Sequence, residues 1–130
     1  MKRTLLSLVA VLLFAVAGFA ADDAKATPKG PLKQVESKTV CMVNEHAMGS
    51  DQIPVVVDGK TYYGCCEMCK KTLQTDASKR VATDPVSGKQ VDKAVAIIAA
   101  AEGGRVVYFE TVANLDKYNE ENSVITAAKP

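Results

Sequence analysis

The chain has 130 residues, with 16 Lys and Arg against 15 Asp and Glu. That near-neutral balance excludes the basic excess with which proteins neutralise nucleic-acid phosphates or adhere to anionic membranes. The length allows one small domain with a modest core, and four cysteines with a single histidine are its main chemical resource.

Lys2 and Arg3 precede an apolar run, residues 5–16 (LLSLVAVLLFAV), and Gly18 and Ala20 put small residues at −3 and −1 before Ala21. The run is short for a bilayer span, so residues 1–20 read as a secretory signal peptide cut after Ala20. The expectation is a periplasmic or secreted protein with no membrane attachment after cleavage. Lys2 and Arg3 leave with the signal, so 16 basic residues become 14 against 15 acidic ones, a formal charge of −1. Residues 21–38 (ADDAKATPKGPLKQVESK) hold few large apolar side chains and read as a flexible leader.

Residues 53–57 (IPVVV) are mostly β-branched, Asp58-Gly59 is a type I′ hairpin signal, and residues 60–63 form the return strand. After Gly64, residues 67–74 read as a short helix carrying Met68, Cys69 and Leu73. Residues 92–102 (DKAVAIIAAAE), followed by Gly103, have the composition of a helix ending at glycine. A shift of the chain by 45 residues opposes that reading: it lays residues 59–64 (GKTYYG) over 104–109 (GRVVYF) and Leu73 over Tyr118. Residues 95–101 then become a strand paired across Gly103-Gly104 with residues 105–109, and a helix follows over 111–118 with Thr111 as its N-cap. Residues 120–130 (EENSVITAAKP) read as a loosely docked tail. The expected fold is α+β: two small repeated β-hairpin-plus-short-helix units, residues 39–80 and 81–119, packed together.

Cys41 is followed after twenty-three residues by Cys65-Cys66, and after two more by Cys69. Cys65 and Cys69 are spaced i, i+4, and Cys66 and Cys69 are spaced i, i+3, so both pairs are neighbours at the start of a helix. The positive end of that helix favours thiolate, the form that binds metal. A hairpin returning to the same end would set Cys41 beside them.

Cys41 together with residues 58–73 (DGKTYYGCCEMCKKTL) resembles the YHS domain, a member of the wider TRASH-like group. The shared pattern is a lone cysteine, a gap of about twenty residues, an aromatic strand, C-x-x-x-C and an apolar residue four further on. Cys41, Cys65 and Cys69 match its three thiol positions. Residues 84–88 (DPVSG) with 104–118 are similar to a second copy, in which Ser87, Glu110 and Asn114 occupy or flank the places of the thiols. The resemblance implies metal binding, with roles in heavy-metal, often copper, trafficking, sensing or resistance, and a metal-transport or metal-sensing protein as partner. Cys66 departs from the pattern, as does VCMVN at 40–44, which lacks a Pro-Gly frame.

The candidate ligands are thus Cys41, Cys65 and Cys69, with Cys66 or His46 as a fourth. Soft thiolates select copper(I) or zinc(II) over magnesium or calcium; three sulfurs lean toward copper(I), and a fourth ligand would complete a tetrahedral zinc site. Two other readings stay open. An even number of cysteines in a short exported chain suits a disulfide-stabilised interaction module, and Cys66–Cys69 (CEMC) is a C-x-x-C dithiol of the redox type. No nucleophile–base set is legible, and the chain does not read as an enzyme.

Overall fold

The computed structural model describes residues 27–127 and is an α+β fold of small antiparallel sheets and two helices. In chain order, β1 is Lys33–Gln34, β2 Val40–Cys41, β3 His46–Ala47, β4 Ile53–Val57 and β5 Lys60–Gly64. Helix α1 covers Glu67–Thr75; β6 is Val81–Thr83, β7 Gln90–Asp92, β8 Ile97–Ala100 and β9 Val106–Phe109, and α2 covers Val112–Ala127. Strands β1, β8 and β9 form one sheet in that order, while β2–β3, β4–β5 and β6–β7 are two-stranded ribbons. Among the described residues no helix is long and apolar enough to cross a membrane. The expected signal peptide, residues 1–20, and the first residues of the expected leader lie outside the described residues.

The β4–β5 hairpin follows from its turn. Asp58 and Gly59 both have positive φ, +50° and +75°, as a type I′ connection requires. Register then pairs Val57 with Lys60 and Val55 with Tyr62, and Val55 and Tyr62 are buried. Pro54 is tolerated because β4 has only one ladder partner.

Within the alanine-rich stretch residues 97–100 are a strand, as expected from the 45-residue match against composition, while the expected strand residues 95 and 96 lie in a turn before it. In β8 and β9 both faces are covered, and the side chains alternate between two clusters. Ile98, Val106 and Tyr108 pack with Val40, Met42, Val55, Tyr62 and Leu73. Ala99, Val107 and Phe109 pack with Leu32, Leu115 and Tyr118, and the Phe109 and Tyr118 rings meet edge-on at 5.5 Å. Ala99 sits where a thin residue lets α2 and Leu32 close over the sheet. The first cluster draws on residues from both 39–80 and 81–119, so these stretches share one core.

Two expectations need correction. The described part of the supposed leader is docked: Leu32 is buried, Lys33 and Gln34 pair with Ala100 and Ala99, and Asn119 bonds both the N–H and the C=O of Leu32. Leu32 and Val35 supply the apolar contact, β8 offers an open edge and α2 a polar clasp. The helix expected over 111–118 runs on to Ala127 through the first residues of the expected tail, which are largely exposed where described, with the Asn122 amide donating to the Tyr118 carbonyl.

Candidate metal centre

The site forms where β2, the end of β5 and the start of α1 converge. The Met42 N–H donates to the Tyr63 carbonyl at 2.9 Å, tying the residue after Cys41 to the strand that leads to Cys65. Gly64 permits the next step: a β-carbon there would lie 2.9 Å from that of Cys69 and 3.2 Å from its carbonyl carbon. Helix α1 then opens with Cys66 as N-cap, its Sγ accepting from the Cys69 N–H at 3.4 Å. Arg80 closes the helix by donating to the Leu73 carbonyl at 2.6 Å.

These contacts bring Cys41, Cys65 and Cys69 together, with all three sulfurs within 4.8 Å of one another. Sγ of Cys69 lies 3.8 Å from that of Cys41 and 3.7 Å from that of Cys65. A tetrahedral ion with metal–sulfur bonds of about 2.3 Å holds its sulfurs about 3.8 Å apart, so the two spacings fit such an ion. All four thiols are free.

The other two candidates stand outside this group. Cys66 approaches Cys69 at 3.4 Å but is not one of the three mutually close sulfurs, and it is exposed. His46 is paired with Cys41 in the β2–β3 register, yet it is exposed and its ring lies over Gly104, whose missing β-carbon would fall 2.6 Å from Nε2. The ring is held there because β3 continues onto Gly104 and Arg105, with the Ala47 N–H donating to the Gly104 carbonyl at 2.7 Å.

The thiols differ in acidity. Burial works to raise the Cys41 pKa, but backbone hydrogen bonds from Asn44, Cys65 and Val43 to its sulfur outweigh that and lower it. In Cys66 the backbone hydrogen bond from Cys69, with the Cys69 thiol, lowers the pKa. Burial, reinforced by the surrounding thiols and the charge of Cys41, pushes Cys69 up to about 12. The hydrogen bond with Cys41, then burial, raises Cys65. The helix end therefore favours thiolate at Cys66, whose sulfur takes the Cys69 N–H, and not at Cys65 or Cys69, where the hydrogen bond with Cys41 and burial, respectively, lead in the other direction.

Sequence reasoning missed the residue that braces the centre. Lys93 is 2 % exposed; its ammonium donates to the Met42 carbonyl at 2.8 Å and to Glu45 Oε1 at 2.9 Å, and stands 5.1 Å above the Tyr108 ring. It fixes both ends of the turn that follows Cys41. A lysine is ordinarily a surface residue, and no local signal marks this one. Asn44, in the same turn, donates to Cys65 Sγ at 3.4 Å.

In the second half of the chain, Asp84 is fully buried. Its Oδ1 accepts from the N–H groups of Val86 and Ser87, and its Oδ2 accepts from the Glu110 N–H at 2.7 Å and Asn114 Nδ2 at 2.6 Å. Four protein donors thus hold the Asp84 carboxylate.

Comparison with protein-family models, with curated proteins and with solved structures gave no match. The case for function therefore rests on the site.

Proposed function

We propose that this protein is a heavy-metal-binding protein that holds one soft ion, copper(I) or zinc(II), on the thiolates of Cys41, Cys65 and Cys69, and that it binds its ion rather than catalysing a reaction. The observation that carries the reading is the convergence of three sulfurs from two distant segments at spacings that fit one ion. The signal-like N-terminus makes it an exported protein, and a role in trafficking, sensing or resistance follows from the resemblance to the YHS domain. In the same reading the halves are two copies of one unit, the second having exchanged its thiols for a carboxylate network. Support comes from Glu110 and Asn114, which lie 45 residues beyond Cys65 and Cys69 and both meet Asp84.

The test is anaerobic purification, elemental analysis and competition titration with copper(I) and zinc(II). One equivalent of metal is expected, lost on Cys41→Ser, Cys65→Ser or Cys69→Ser. A wild-type protein that takes up neither ion under reducing conditions refutes the reading.

One observation favours a second reading. Cys66 is exposed with a lowered pKa, and Cys69 is buried with a raised one, the asymmetry of a dithiol reductant. A thiol–disulfide oxidoreductase would reduce insulin and lose that activity on Cys66→Ser; a metal carrier would show neither behaviour.

A further inference from the structure

We propose that Cys66 is the exchange ligand of the three-sulfur centre, the thiol through which a soft ion passes between that centre and an acceptor presenting thiolates of its own. This deepens the metal-binding reading and rests on it. The sulfurs form a graded series from interior to solvent: Cys41 is 0 % exposed, Cys69 is 7 % exposed, Cys65 is half-buried and Cys66 is exposed. An ion held by the first three is out of reach of an incoming macromolecular ligand on its Cys41 side. The approach lies past Cys65 and Cys66.

Cys66 is placed for exchange rather than for holding. Its sulfur is fixed at the head of α1 by the Cys69 N–H, 3.4 Å away, so it stays beside the centre instead of sweeping through solvent. It stands 3.4 Å from Cys69 Sγ, closer than two sulfurs sharing one tetrahedral ion, about 3.8 Å apart, and it is not among the three mutually close sulfurs. In the proposed transfer it bonds the ion as another sulfur lets go. Cys65 is that sulfur, being the least buried of the three.

The steps conserve bonds and charge. Cys66 releases its proton to water and bonds the ion; the bond to Cys65 breaks, and that sulfur takes a proton from water. Three metal–sulfur bonds persist throughout, and the ion keeps its oxidation state. An acceptor thiolate next replaces Cys69 or Cys41 in the same manner, and Cys66 is the last protein ligand to leave. A dithiol acceptor, with two soft donors on one exposed turn, completes the replacement without releasing the ion to water.

The experiment uses copper(I) as probe. The full chain is loaded anaerobically with one equivalent, mixed with excess of a chromophoric copper(I) chelator, and followed by stopped-flow absorbance. Cys66→Ser suits the test because serine is itself a preferred N-cap, so α1 keeps its first turn. The variant is expected to bind the same single equivalent with unchanged equilibrium affinity and to transfer it about tenfold more slowly, a barrier higher by about 1.4 kcal/mol. Transfer at the wild-type rate overturns the proposal. Loss of the ion from Cys66→Ser also overturns it, by making Cys66 a holding ligand. A wild-type chain that takes up no ion fails earlier, at loading, and refutes the metal reading itself.

Discussion

Gly64 lies so close to Cys69 that a β-carbon on the glycine would stand 2.9 Å from that of the cysteine. The last residue of β5 is thus a spacer that lets α1 lean onto the strand and present Cys69 to Cys41. In Gly64→Ala the neighbour that must yield is helix backbone, since the Cys69 carbonyl carbon and the Lys70 nitrogen both lie at 3.2 Å from the added carbon. Overpacking of this kind costs roughly 1–3 kcal/mol. Chemical denaturation is expected to show that loss, and the Cys69 thiol, buried in the wild type, is expected to react faster with a thiol reagent.

Lys93 braces the same centre from the other side. Its ammonium joins the Met42 carbonyl to Glu45, the two ends of the turn after Cys41. Lys93→Met keeps the length of the side chain and removes the charge, which takes this donor from the Met42 carbonyl and this cation from Glu45. Removing one partner of a buried pair typically costs about 3–5 kcal/mol. Urea denaturation of Lys93→Met is expected to show a loss of that order, and Lys93→Met combined with Glu45→Gln is expected to recover part of it. Equal stability of wild type and Lys93→Met would show that the pair does not hold the turn.

Much of this architecture is legible in the sequence, and the parts that are not share a cause. The turn at Asp58-Gly59 is written in two adjacent residues, and the helix cap at Thr111, which accepts from the Asn114 N–H at 3.2 Å, in one. The i, i+4 spacing brings Cys65 and Cys69 together although Cys65 precedes the helix. The strand at Ile97–Ala100 yields to the 45-residue match because its alanines lie between two clusters, where thinness matters more than propensity. Leu32, Lys93 and the seat of His46 depend instead on partners far away in the chain: Asn119 for Leu32, Met42 and Glu45 for Lys93, Gly104 for His46. No local pattern announces such a partner. Cys66 is intermediate: its spacing makes it a ligand candidate, and only the fold shows that its sulfur faces outward.

Asp84 gives the protein a pH dependence. Burial acts to raise its pKa, but the hydrogen bonds from the Glu110 N–H, Asn114, Val86 and Ser87 outweigh burial and hold it below the usual 3.8. The native state thus releases this proton more readily than the unfolded chain. The stabilisation is fully present above the unfolded pKa and is lost as pH falls through the lower folded value. Stability is therefore expected to drop below about pH 4. Asp84→Asn turns an amide N–H₂ toward two of the four donors and is expected to cost on the order of 2–3 kcal/mol at neutral pH. The variant should also show a shallower acid limb. Urea midpoints measured from pH 2.5 to 7 check both effects, and an acid limb as steep in Asp84→Asn as in the wild type would remove Asp84 from the account.

Loading the centre should stabilise the fold, because the three thiols are assembled only in the native chain. Cys41 comes from β2, Cys65 from the bend after β5 and Cys69 from α1, so unfolding scatters them and an ion held by all three would bind the native state preferentially. At free metal one hundred times the dissociation constant, linkage stabilises by about 2.7 kcal/mol. The expected result is a higher unfolding temperature on loading with copper(I) or zinc(II), reversed by a chelator. The variants divide the site. Cys41→Ser should abolish the shift, since it removes the sulfur that ties the two segments together. Cys66→Ser should preserve it if, as proposed, that thiol takes the ion only during transfer. Differential scanning calorimetry of wild type and both variants, with and without metal, distinguishes the roles; a shift that survives Cys41→Ser would place the ion elsewhere in the molecule.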